Sequence, residues 1–404
     1  MSNPTSFWKS GHKPSLFSAF MYFDISFMIW VLIGPLSVVI MGDYEMTAVE
    51  KANLVALPIL GGSILRLVFG FLTDYIGPKR TGQLGMLLTM IPLIWGWKFV
   101  DSLGDLHIVA ILLGVAGASF AAALPLASRW YPPQYQGLAM GIAGAGNSGT
   151  VFSTLFANRI AQHYGSWEVV FGLALIPIAI AFVVFTIFAK DSPNQPAPKK
   201  FSHYAKVLKQ RDTWLFCIMY SVTFGGFVGL SNYLTIFFNT QYGLSAVKAA
   251  DFTTLCVIAG SFFRPIGGYL SDKIGGIKVL MILYTGAAVM LASISSLPPL
   301  TLVICMLFVG MMCLGAGNGS VFQLVPQRFG DEIGLVTGIV GAAGGIGGYA
   351  LPLILGNLYQ STGSYTPGFL ILCGIAVLSV VMLAFAQMDW KKTWIGDGGK
   401  ARSM

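Results

Sequence analysis

The sequence predicts an all-α membrane protein of twelve transmembrane helices, laid out as two pseudo-symmetric halves of six. Three observations predict it. Charged residues make up 10% of the 404 residues and hydrophobic ones 55%, with a mean hydropathy of +0.74. A soluble domain needs about a quarter charged residues to keep its surface wet, so the solvent for most of this chain is lipid. Second, twelve mostly apolar runs approach or exceed the roughly 20 residues that cross a bilayer core. Third, the chain repeats itself.

The runs are expected near 15–41, 50–73, 82–100, 106–128, 138–162, 167–189, 213–238, 249–271, 279–296, 300–322, 332–358 and 365–388. Only Pro298 and Pro299 mark the break between the ninth and the tenth. The polar start, MSNPTSFWKSGHKP, followed by a run too long for a signal core, speaks against a cleaved leader. Cys217, Cys256, Cys305, Cys313 and Cys373 all fall in apolar runs of the second half without ligand-like spacing. Core packing is expected of all five, with no disulfide, metal or cofactor site.

Lys and Arg are distributed unevenly between the two sides. Eighteen lie in the termini and in alternate loops, richest between Lys190 and Arg211, against Lys51, Lys98, Arg159 and Lys248 on the other side. By the positive-inside rule both termini are cytoplasmic, in a multi-pass protein of the inner (cytoplasmic) membrane. The net charge of +8 is then a topological signal, and no nucleic-acid partner is expected.

The one long polar stretch divides residues 1–189, an N-terminal six-helix half, from residues 213–404, a C-terminal half with a short tail; residues 190–212 are the linker. FGFLTDYIGPKR after the second run matches IGGYLSDKIGGIK after the eighth, so Gly70, Asp74 and Gly77 correspond to Gly268, Asp272 and Gly275. GLAMGIAGAGN in the fifth run matches GLVTGIVGAAGG in the eleventh. Parallel repeats of this kind place a substrate site near the midplane between them. The Gly70, Asp74, Gly77, Lys79, Arg80 string reads as a tight turn whose acid and bases pair with neighbouring helix ends. Gating is expected of it and of its copy.

Three ionisable residues lie well inside the runs: Asp24, Arg66 and Arg264. A charge at mid-bilayer costs at least about 2.5–3.5 kcal/mol, so it faces a cavity and functions there. Arg66 and Arg264 each stand four residues before a motif glycine, which aims one guanidinium from each half at the pseudo-twofold axis. Two facing arginines repel unless something negative lies between them, and a planar fork of donors suits a planar oxyanion. Pairing of each arginine with a carbonyl or an acid is the structural alternative. His12, His107, His163 and His203 sit at run ends or in loops, so no catalytic cluster, and no enzyme, is expected.

The motif after the second run resembles the signature of the major facilitator superfamily. GIAGAGNSGT (141–150) and GIVGAAGGIGG (338–348), with an arginine in each of the second and eighth runs, resemble the nitrate/nitrite porter family more specifically. The resemblance covers nearly the whole chain. It implies that Arg66 and Arg264 clamp nitrate or nitrite, that Asn147 hydrogen-bonds it, and that Phe120, Tyr220 and Phe224 wall the pocket. Gly144 belongs to the first signature, and Gly344 stands in the second where the first has Asn147, leaving only backbone to make contact there.

Asp24 sets the coupling expectation. It and Arg66 both lie roughly 12–14 Å from the cytoplasmic ends of their helices at 1.5 Å per residue, so an ion pair can form. Protonating Asp24 would then free Arg66 for the anion, which predicts proton-coupled nitrate uptake by alternating access in a monomer. Nitrate/nitrite antiport needs only the arginines and stands as the alternative, ahead of a passive anion channel.

Overall fold

The computed structural model describes residues 7–193, 195, 201–329 and 333–394, and no strand occurs among them. Lys199 and Lys200 of the linker and Lys400 and Arg402 of the tail lie outside the described residues. A 3-10 turn, η1 (Phe7–Lys9), precedes a first span broken into α1 (Lys13–Trp30) and α2 (Ile33–Asp43). The second span is one rod, α3 (Ala48–Ile76), begun by a capping box between Thr47 and Glu50, and α4 (Pro78–Lys98) is the third. The fourth is split into α5 (Leu103–Leu112), α6 (Gly114–Gly117) and α7 (Phe120–Ser128). The fifth runs through α8 (Pro133–Gly144), a 3-10 turn η2 (Ala145–Ser148) and α9 (Gly149–Tyr164), and α10 (Glu168–Phe188) is the sixth. A short helix, α11 (Phe201–Leu208), lies in the linker. The second half is α12 (Arg211–Tyr242), α13 (Ala246–Ile274), α14 (Gly276–Ile294), α15 (Leu300–Arg328), α16 (Ile333–Thr362) and α17 (Thr366–Thr393).

These rods make twelve spans. Ten are individually long and apolar enough to cross a membrane. The other two are α4, whose first turns carry Lys79, Arg80 and Gln83, and the fifth span, which η2 breaks. Large apolar side chains such as Leu378, Ile282, Ile187 and Phe262 are more than half exposed on the bundle's outside. That surface fits acyl chains, where every backbone polar group must be satisfied inside the helix. Cys305 belongs to it: it is exposed on α15, not packed in the core as expected, while Cys217, Cys256 and Cys313 are buried. Apolar character shows that a residue sits in a span, not which face it occupies.

The duplication is visible in the backbone. Rods α3 and α13 both have 29 residues. They end on Gly77 and Gly275, with φ of +87° and +93°. That left-handed geometry strongly favours glycine, so each copy keeps it at the turn into the next span.

The halves meet mainly along α3 with α16, α2 with α12, and α9 with α13. At the end remote from the termini they are tied together. Arg159 holds Asp251 through two contacts of 2.6 and 3.0 Å, Thr254 donates to Thr154 at 2.8 Å, and the Val49 amide donates to Gln360 at 3.0 Å. Toward the termini Gly70, Gly141 and Gly338 face open space. The Arg159–Asp251 pair is about 40% exposed, and such pairs contribute roughly 0–1 kcal/mol. Asp251→Ala is therefore expected to raise thiol labelling of a cysteine at the buried Ala250 by no more than about fivefold. A larger rise would make the pair the principal closure, in place of the hydrogen bonds around it.

Candidate functional site

Arg66 is fully buried on α3. Its Nε donates to the Gly117 carbonyl at 2.9 Å and its Nη1 to the Gly341 carbonyl at 2.7 Å. The Gly117 carbonyl is available because the fourth span is broken just after it, where α6 ends before α7 begins. Gly341 belongs to the opposite half, so Arg66 bridges the two. The carbonyl pairing weighed as the structural alternative is thus partly realised, yet Nη2 has no protein partner. The guanidinium carbon lies 4.9 Å from the Trp30 ring, 5.1 Å from Phe120 and 4.9 Å from Phe224. Such aromatic faces attract a desolvated cation.

Arg264 on α13 is 6% exposed and its Nη1 is also unpartnered. Gly144 lies over this guanidinium: a Cβ there would sit 3.4 Å from Nη2. The Tyr220 hydroxyl is buried within electrostatic reach of both arginines and makes no well-aligned hydrogen bond. Among the described residues neither arginine forms an ion pair with an acid. Three donors from the two halves therefore converge without an acceptor among the side chains, an arrangement that a small anion satisfies.

The remaining predicted residues divide into those at the site and those beside it. Phe120, Tyr220 and Phe224 are fully buried there, with Tyr220 and Phe224 stacked at 4.9 Å. Gly344 lies against both rings, too close for a side chain. Asn147 is buried in η2; with its amide oriented to match the surrounding donors and acceptors, its nitrogen donates to the Gly144 and Ala145 carbonyls at 3.1 and 3.2 Å and its oxygen faces donors.

Asp24 does not reach Arg66. It accepts from the Ser148 hydroxyl at 2.7 Å, against η2 and α9. The expected Asp24–Arg66 pair is therefore absent, because helical rise fixes a residue's height and not the direction in which it points.

Two site residues were missed from sequence. Trp30 stacks with Phe224 and covers Arg66, while its indole donates to the Pro58 carbonyl at 2.6 Å. Phe322 meets Phe120 and Tyr220 edge-on, at 5.7 and 4.8 Å, from α15. Trp30 carried a signal, since tryptophan favours the membrane interface and this one lies mid-span. Phe322 carried none that separates it from packing.

The motif of which gating is expected lies at the end that holds the termini. Asp74 pairs with Arg129 at 2.6 Å, and the Lys79 amide donates to Asp191 at 2.8 Å, while Arg80 is exposed. In the second copy Asp272 accepts from Gln323 at 3.0 Å instead of from an arginine. Gly268 approaches the Gly319 carbonyl, whereas Gly70 meets nothing. Each motif acid thus fastens neighbouring helices of its own half.

A duplicated twelve-helix bundle with a cationic site between its halves defines a membrane carrier. The family model described as the Major Facilitator Superfamily matches residues 18–350. The "Probable nitrate/nitrite transporter NarK2" of Mycobacterium tuberculosis is 34% identical over 89% of this chain and 93% of its own length. The "Nitrite extrusion protein" of Bacillus subtilis is 32% identical, over 91% and 92%. The "Probable nitrate/nitrite antiporter NarK1" of Thermus thermophilus is 30% identical, over 89% and 88%. The chain belongs to the major facilitator superfamily and, within it, to the nitrate/nitrite porter family. The solved human organic anion transporter MFSD10 superposes with a TM-score of 0.72, covering 92% of this chain and 99% of its own, at 13% identity; that likeness concerns the fold alone.

Proposed function

We propose that the protein exchanges nitrate for nitrite across the cytoplasmic membrane by alternating access, with both termini cytoplasmic. The observation that carries this is the convergence of unpaired donors on Arg66, Arg264 and Tyr220, with no acid among the described residues paired to either arginine. A planar oxyanion accepts from such forks in its plane and stacks its faces on aromatic rings. The names borne by the relatives favour nitrate and nitrite among planar anions.

The absence of an acid also bears on coupling. Two buried guanidiniums without a counter-charge make the anion-free closed state costly, because burying unpaired charge is unfavourable. The carrier then returns most readily with an anion bound, which is exchange. Proton-coupled uptake was expected on the premise that Asp24 competes with the anion for Arg66. Asp24 is bonded to Ser148 instead, so the geometry supports exchange better.

The deciding measurement is nitrate uptake into proteoliposomes, with and without internal nitrite, under zero or an imposed inward proton gradient. Uptake is expected to require internal nitrite and to ignore the proton gradient. Proton-driven accumulation without internal anion would restore the symport reading. Flux that neither requires internal anion nor accumulates nitrate would indicate a channel.

A further inference from the structure

We propose that Asp24 is a positioning residue. From α1 it anchors the start of α9 and holds the Ala145–Ser148 turn, which keeps Gly144 over Arg264 at the anion site. The proposal rests on the anion site argued above and assigns Asp24 a role in building it.

The fifth span passes from α-helix into a 3-10 turn and back, and the Gly149 amide at the start of α9 bonds back to the Gly146 and Asn147 carbonyls across that turn. Its N-cap residue, Ser148, makes no capping bond of its own. The Ser148 hydroxyl donates to Asp24 Oδ1 at 2.7 Å, and the Gly149 amide lies within reach of the same carboxylate. An acid near a helix N-terminus complements its dipole, and here it is supplied from a different span.

Two glycines allow the approach. A Cβ at Gly146 would strike the Asp24 amide nitrogen and the Phe20 carbonyl, and one at Gly149 would overlap the Asp24 carbonyl. From this anchor the chain leads directly to the site: Asn147 folds back onto the Gly144 and Ala145 carbonyls, and Gly144 covers Arg264. On its other side Asp24 lines a groove with Ile25, Met28, Phe152, Phe156 and Val170, where it is the one ionisable side chain among the described residues. The carboxylate therefore acts through hydrogen bonds to the fifth span.

The test compares Asp24→Ala, Ser148→Ala and Asp24→Asn with wild type in full-length protein. Nitrate–nitrite counterflow is measured in proteoliposomes, and amide hydrogen exchange is followed over residues 144–150. Asp24→Ala and Ser148→Ala are expected to raise the nitrate KM about tenfold, with maximal rates within about twofold, and to speed amide exchange at 144–150 by about tenfold. Asp24→Asn keeps an acceptor oxygen and is expected to stay within about threefold of wild type in both. Unchanged amide exchange in the first two variants overturns the proposal. So does an Asp24→Asn variant that loses proton-driven accumulation shown by the wild type, because Asp24 would then carry the proton. A wild type that moves no nitrate defeats the anion assignment, while the amide exchange still decides the anchor.

Discussion

Replacing Arg66 by lysine is expected to cut nitrate counterflow by at least about 100-fold while the protein still inserts in the membrane. The substitution keeps the charge, so it isolates what the guanidinium does beyond being positive. Arg66 uses Nε for Gly117, Nη1 for Gly341 and keeps Nη2 free, three directions held in one plane. An ammonium on a flexible stem cannot span two carbonyls on different helices and still face the anion in the plane of a fork. A buried carbonyl left without its donor costs about 1–3 kcal/mol, and about 1.4 kcal/mol is a factor of ten. Lysine also loses the flat face that lies 4.9–5.1 Å from Trp30, Phe120 and Phe224. Counterflow of more than a tenth of wild type by Arg66→Lys would mean that charge alone is recognised, and the fork would lose its role.

Because Gly341 sits in the other half, that arginine also links anion binding to closure of the two halves. Among the described residues Arg264 has no comparable carbonyl pair, its Nη1 being unpartnered, and it is covered instead by Gly144 of the opposite half. The site is therefore symmetric in its charges and asymmetric in what holds them.

Legibility in the sequence followed the physics of each feature. Span positions were readable because lipid imposes one rule, about 20 apolar residues, on every crossing. The two arginines were readable because a charge in such a run is costly and because the repeat places both at equivalent positions. The direction in which Asp24 points was not, since at 3.6 residues per turn its azimuth depends on how α1 is rotated against the fifth span, which no run of apolar residues records. Phe322 reads as ordinary packing because an apolar ring looks the same in a run whether it meets leucine or the aromatic wall of a site. Cys305 shows the same limit on the lipid side: a run does not declare which residues face outward.

The glycines of α16 look alike in sequence and are separated by the structure, which gives the second large prediction. Gly344→Ala is expected to lower counterflow by at least about tenfold, and Gly338→Ala to leave it within about twofold. A Cβ at Gly344 would collide with the Tyr220 ring near its attachment and approach Phe224, whereas one at Gly338 meets nothing. Tyr220 cannot swing clear, being fully buried between Phe224 at 4.9 Å and Phe322 at 4.8 Å. Either α16 moves out, drawing the Gly341 carbonyl from Arg66, or the Tyr220 hydroxyl leaves the site. Both lose a contact that the anion geometry needs, so the damage should appear in transport with normal membrane insertion. Equal tolerance of alanine at both positions would mean that α16 stands farther from α12 during turnover, and that the close packing at Gly344 plays no part in recognition.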